Sequence, residues 1–307
     1  MPLKRFFRRR PARIGPAGLM LACAGIAGAG ITGTAMVWNG GPPAPVARAT
    51  DAVPRNAPRR VVSLNLCADQ LVLALADRGQ IAGLTRNAVD PQMSGEAARA
   101  RGLPLLAGTA EEILTADPDL VIGMPATGSP ALAALKGRAW PTLDLPFAER
   151  YEDIAASIRQ VAAALGHEAR GEALIARMDA ELAALPRDAG GGRVAAYYQR
   201  RGYMTGTGTL VDDLMTRIGL VNLAGRLGKP VLSHLSLEEM VAARPDYLIV
   251  ESATDSVRDQ GTEMLHHPAL DGIARISIPQ AWTVCGGPAY VRAAQSAIAQ
   301  MEEPAHR

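Results

Sequence analysis

Glu111-Glu112-Ile113-Leu114-Thr115-Ala116-Asp117-Pro118-Asp119-Leu120-Val121-Ile122 returns later in the chain as Glu238-Glu239-Met240-Val241-Ala242-Ala243-Arg244-Pro245-Asp246-Tyr247-Leu248-Ile249. Thr109 and Ser236 stand three residues before the second glutamate of each copy, the capping-box spacing at a helix start. A short helix follows, and x-Pro-Asp stops it because the residue before proline is pushed out of the α region. The apolar runs 120–122 and 247–250 then read as buried strands. Cap, helix, breaker and strand recur together, which predicts two similar lobes.

Working outward, Arg60-Val61-Val62-Ser63-Leu64 reads as the first strand, followed by a helix over 69–76 and a strand at Ile81-Ala82-Gly83-Leu84. Pro141-Thr142-Leu143-Asp144-Leu145 is a late strand of the same lobe. In the second lobe Arg193-Val194-Ala195-Ala196-Tyr197-Tyr198 opens the sheet, and 209–218 is helical with Leu210, Leu214 and Ile218 on one face. Strands alternating with helices imply parallel sheets with helices on both faces. Between the lobes a helical pattern runs over 151–185, with Gly166 and Gly171 as the places where it would break. Unbroken, it would form a rod about 50 Å long that joins the lobes and permits only small opening motions. The expected fold is α/β: two Rossmann-like parallel-sheet lobes joined by one long helix, with a ligand cleft between them. The expected organisation is 1–58 export signal and leader, 59–150 first lobe, 151–186 connecting helix and 187–303 second lobe.

With 307 residues the length suits about two domains. Hydrophobic residues make up 48% and charged residues 20%, which excludes a disordered or fibrous chain. The net charge of +2 owes much to Lys4, Arg5, Arg8, Arg9, Arg10 and Arg13, so the mildly acidic remainder gives no support for nucleic-acid binding. That basic cluster precedes an uncharged Ala/Gly-rich run over 14–46 and a small-x-small site at Ala47-Arg48-Ala49, the pattern of an export signal. An uncleaved anchor and a lipoprotein site at Cys23 stay open beside a cleaved signal, as do the general and twin-arginine routes. All three place the body outside the cytoplasm.

An exported pair of repeated α/β lobes with a helical connector resembles the periplasmic solute-binding proteins of ABC importers, specifically the helical-hinge class that serves cobalamin, haem and ferric siderophores. The marks are the opening Arg60-Val61-Val62-Ser63-Leu64, the two Glu-Glu…Pro-Asp segments, Gly219-Leu220-Val221-Asn222 and His267-Pro268-Ala269-Leu270. The resemblance implies a non-enzymatic, monomeric, periplasmic protein with no resident cofactor. Its cargo would be a small-molecule metal complex, siderophore or haem, or a corrinoid, and its partner an ABC permease dimer in the inner membrane. It further implies that Glu111 and Glu238, one per lobe, dock onto permease arginines. From the residues themselves, Glu112 and Glu239 are placed to cap, which leaves Glu111 and Glu238 free to point outward from the first helical turn.

In open parallel sheets ligands lie beyond the carboxyl ends of the strands. The corresponding loops nominate Asn65, Cys67, Arg86 and Phe147 from the first lobe, and Tyr198, Arg200, Tyr203 and Trp282 from the second. Aromatics are only 4% of the chain, so their gathering near these loops suits a large planar ligand, with arginines for its carboxylates or phosphates. Cys67 and Cys285 follow strands in opposite lobes, and three readings compete: buried thiols, an interlobe disulfide, or a ligand-contacting pair. His167, His234, His266 and His267 are too scattered for a bare-metal site, so a free ion is not the expected cargo. A hydrolase would need Gly-x-Ser-x-Gly, which does not occur, and Gly206-Thr207-Gly208 lacks the rest of a dinucleotide fingerprint. The alternative reading is an exported α/β enzyme or a surface scaffold that reuses the fold.

Overall fold

A computed structural model of the chain describes residues 56–135, 138 and 140–302. The export signal, most of the leader and Cys23 lie outside the described residues. The first lobe runs β1 (Val61–Ser63), α1 (Leu66–Leu75), β2 (Ile81–Thr85), α2 (Ala97–Ala100), β3 (Leu105–Leu106), α3 (Ala110–Ala116), β4 (Leu120–Gly123), α4 (Pro130–Ala134) and β5 (Thr142–Asp144). Its five strands are parallel, in the order β3-β2-β1-β4-β5. After α5 (Tyr151–Leu165) and α6 (Glu168–Ala183) come β6 (Val194–Tyr197), β7 (Tyr203–Thr205), α7 (Leu210–Arg217), β8 (Val221–Asn222), α8 (Leu223–Arg226) and β9 (Leu232–His234). The chain ends with α9 (Leu237–Ala243), β10 (Tyr247–Glu251), α10 (Gln260–Glu263), β11 (Ala274–Ile278) and α11 (Ala289–Glu302). Here the parallel order is β11-β10-β6-β8, and β7 pairs antiparallel with β9. The two parallel-sheet lobes are therefore present as expected.

The repeated segment builds both lobes in the same way. Thr109 and Ser236 accept from the backbone N–H groups of Glu112 and Glu239, whose carboxylates accept in return from the N–H groups of Thr109 and Ser236. Both helices end in a left-handed residue immediately before the proline, Asp117 at φ 43° and Arg244 at φ 44°. The aspartate after each proline has a role that sequence reasoning missed. Asp119 accepts from the N–H of Arg59 at 2.7 Å and of Arg60 at 2.8 Å, and its own N–H donates to the Arg60 carbonyl. Asp246 accepts from the N–H of Val194 at 2.7 Å and donates to the Val194 carbonyl. Each Pro-Asp thus fastens the start of β4 or β10 to the start of its central strand.

The connector departs from expectation. Residues 151–185 do not form one rod, because Gly166 at φ 76° ends α5 and the chain reverses into α6. Arg159 reaches Glu172 at 2.7 Å and the Tyr151 hydroxyl donates to Asp179 at 2.6 Å, pairings that widen in sequence away from the turn, as in an antiparallel hairpin. Gly171 permits this approach, since a Cβ there would lie 2.6 Å from the Cβ of Ala162. The glycines flagged as break points are the turn and the contact of a helical hairpin. One apolar cluster runs through Val61, Leu71 and Ile122, the hairpin residues Ile158, Leu165 and Met178, and Leu214, Ile249 and Ile298. Both sheets and the hairpin share that core.

Replacing Thr109 or Ser236 with alanine is expected to cost about 1 kcal/mol each in urea unfolding, whereas Glu111→Ala and Glu238→Ala should stay within about 0.5 kcal/mol. Hydrogen bonds from the N–H of Thr109 and Ala107 hold the Glu112 carboxyl below its usual range, and the N–H of Ser236 with Lys229 does the same for Glu239. A carboxyl depressed in the folded state stabilises above its unfolded pKa, and that contribution disappears as pH falls through the folded one. The Glu112→Gln/Glu239→Gln double variant should therefore lose less stability than the parent between about pH 5 and 3, read from thermal midpoints.

Candidate functional site

In each sheet the chain leaves the central strand on one side and resumes on the other, which makes a topological switch point. In the first lobe it lies between β1 and β4, at the loops that begin with Leu64-Asn65 and Met124-Pro125. In the second it lies between β6 and β10, at Gln199-Arg200 and Ser252. Loops at the carboxyl ends of the two sheets meet. A disulfide joins Cys67, at the start of α1, to Cys285, in the loop after β11, with the Cα atoms 5.1 Å apart. Close by, a Cβ on Gly286 would come within 2.4 Å of the Cβ of Ala148, in the loop after β5. Arg292 of α11 donates to the Gly95 carbonyl at 2.7 Å and lies 3.6 Å from Glu96, whose carboxyl is pushed above its usual range by burial.

The nominated residues divide. Tyr203 is 45% exposed at the start of β7, where cross-strand pairing sets it opposite His234 with ring centroids 5.9 Å apart and the rings edge to face. His234 was visible only as a scattered histidine, because the β7–β9 pairing that brings it to Tyr203 leaves no local sequence signal. Arg200 pairs with Asp259, the N-cap of α10. Burial raises the Glu251 carboxyl at the same switch point, and the charge of Arg200 opposes that rise. Trp282 is half-buried beneath the Arg292 guanidinium, 5.6 Å from the ring centroid. Phe147 is 74% exposed, and Arg86 is exposed with its charge helping to lower Glu112.

Three nominations change. Tyr198 is fully buried, and its hydroxyl donates to the Leu235 carbonyl at 2.9 Å. Alternation along β6 sends Tyr198 with Val194 and Ala196 into a cluster with Met204 and Met240, so it is a core residue and not part of the site. Cys67 is half of the bridge and has no thiol to offer a ligand. Asn65 remains at the switch point, but its Oδ1 is committed to capping α1 through the Ala68 N–H at 3.0 Å. Among the described residues no group of three or more His, Cys, Asp or Glu is placed to hold a metal ion, and no helix is long and apolar enough to cross a membrane.

Two parallel α/β lobes whose strand-end loops meet define a bilobal binding protein. The model of the periplasmic binding protein family matches residues 61–274, and the chain belongs to that family. Among solved structures, the periplasmic haem-binding protein RhuT from Roseiflexus sp. RS-1 is 27% identical with a TM-score of 0.63, over 79% of this chain and 97% of its own. An ABC-type Fe3+-hydroxamate transport system protein from Saccharomonospora viridis is 19% identical (TM-score 0.60, 80% and 94% covered). The periplasmic vitamin B12 binding protein BtuF of Vibrio cholerae is 16% identical (TM-score 0.57, 80% and 97% covered). The last two share the fold. No curated protein matches the chain. The family, RhuT and BtuF are described as binding proteins.

Thiol titration of the protein unfolded in denaturant should release two further thiols after reduction, those of Cys67 and Cys285. The Cys67→Ser/Cys285→Ser variant should lose about 2–5 kcal/mol of stability, measured by chemical unfolding. An unchanged thiol count on reduction would remove the bridge from the site.

Proposed function

We propose that this protein captures an iron chelate, haem or a cobalamin-type corrinoid outside the cytoplasm and delivers it to the permease of an ABC importer. The observation that carries this reading is the covalent joining of Cys67, beside the first switch point, to Cys285, in the strand-end loop after β11 of the second sheet, which turns the strand ends of both lobes toward a shared seam. The ligand would be held by Arg86 and Phe147 from the first lobe and by Arg200, Tyr203, His234 and Trp282 from the second, with Asn65 ordering the loop beneath it. Rings supply contact area for a planar ligand, and guanidinium groups pair with its carboxylates. Haem has the strongest support, from the relation to a haem-binding protein and from the exposed Tyr203 beside His234, since phenolate and imidazole are both ligands for haem iron. Glu111 and Glu238, exposed on matching helices, would meet arginines of a two-fold permease.

A thermal-shift screen with haemin, a ferric hydroxamate and cyanocobalamin tests the cargo. The true ligand at about 100 times its Kd should add about 2.7 kcal/mol to stability, and no shift with any of the three would refute the reading. With haemin bound, Tyr203→Phe and His234→Ala should each alter the visible spectrum; spectra identical to the parent would remove both from the iron. The Glu111→Ala/Glu238→Ala variant should keep ligand affinity and lose most uptake in cells, whereas equal loss of both would contradict the docking assignment.

A further inference from the structure

The repeated helices share more than their acids. Leu114 follows Glu111 by three positions in α3, and Val241 follows Glu238 by three in α9, the spacing that sets two side chains on one helix face. The opposite faces are anchored by Ile113 and Met240, both fully buried. Leu114 is 40% exposed and Val241 36%. Single apolar residues on a surface need no explanation. The same acid and apolar pair at the same place in both lobes is a pattern.

The surroundings point to one kind of occupant. Among the described residues neither Glu111 nor Glu238 forms an ion pair, whereas Glu112 beside the first is committed to its cap, and Glu239 beside the second to its cap and to Lys229 at 3.0 Å. Glu238 borders a surface hollow of about 570 Å3 that is also lined by Leu237, Val241, Ala242, Ala269 and, at the far end of the helix, Arg244. An exposed ion pair alone contributes only about 0–1 kcal/mol. Apolar contact beside it removes water, adds burial and strengthens the pair by lowering the local dielectric.

We propose that each lobe docks through a two-point epitope, Glu111 with Leu114 and Glu238 with Val241. The permease meets each with a basic side chain next to an apolar one. This rests on the reading of Glu111 and Glu238 as docking acids. The acid sets charge complementarity and the apolar neighbour supplies the area that makes the contact persist.

Co-sedimentation of fluorescently labelled protein with membrane vesicles that contain the overproduced permease, across a range of salt concentrations and with permease-free vesicles as blank, tests the epitope. Leu114→Ser/Val241→Ser should weaken docking about tenfold at every salt concentration, because about 1.4 kcal/mol of apolar contact is lost without a change in charge. Glu111→Ala/Glu238→Ala should weaken docking and flatten its salt dependence. Leu114→Val/Val241→Leu should dock as the parent does, and so should Val257→Ser, which alters an exposed valine elsewhere. Parental docking by the serine variant with weak docking by the alanine variant overturns the epitope and leaves the docking acids standing. Parental docking by both overturns the docking acids, and the epitope with them.

Discussion

What a bilobal carrier can do depends on how its lobes are held, and here they are held at the strand-end side by a covalent bond. Cys67 lies in the first turn of α1, just after β1, and Cys285 in the loop after β11, so the bridge crosses between the lobes. Arg292 on Gly95 and the close approach of Gly286 to Ala148 reinforce the same seam. Behind it, the α5–α6 hairpin shares one apolar core with both sheets. Tight interiors deform little, so the lobes act as halves of one body.

This restraint shapes the mechanism. A carrier of this build would not trap its ligand by wide closure. It would present a formed surface to a rigid, planar cargo and save the cost of ordering mobile groups on binding. Under the proposed function, release would fall to a partner that acts on both lobes at once, and the matching helices α3 and α9 would give that partner two similar handles. The hairpin also changes where flexibility can sit: a reversal at Gly166 packed against Gly171 braces the lobes more broadly than a single rod would.

Much of the fold was legible because it rests on local chemistry. The capping boxes at Thr109 and Ser236, the Pro-Asp stops and the alternating strands each follow from neighbouring residues, and the lobes followed from their repetition. The hairpin was legible only as two suspicious glycines, since helical periodicity continues past Gly166 and only packing shows that the chain has turned. The strand-clamping roles of Asp119 and Asp246 were hidden because their partners lie in another strand. The site was harder for the same reason. Tyr198 and Tyr203 look alike as aromatics near a strand end, yet pleat alternation buries the first and edge pairing exposes the second. His234 joins Tyr203 through a two-stranded pairing between distant segments, and the cysteine bridge depends on a meeting of loops that spacing cannot fix.

Hydrogen exchange with and without haemin, followed peptide by peptide, tests the shared seam most directly. Added protection is expected together in the loops 64–67 and 85–87 of the first lobe and 199–203 and 280–285 of the second. Protection confined to one lobe, or centred on the outer face of α6, would contradict a ligand held between the two.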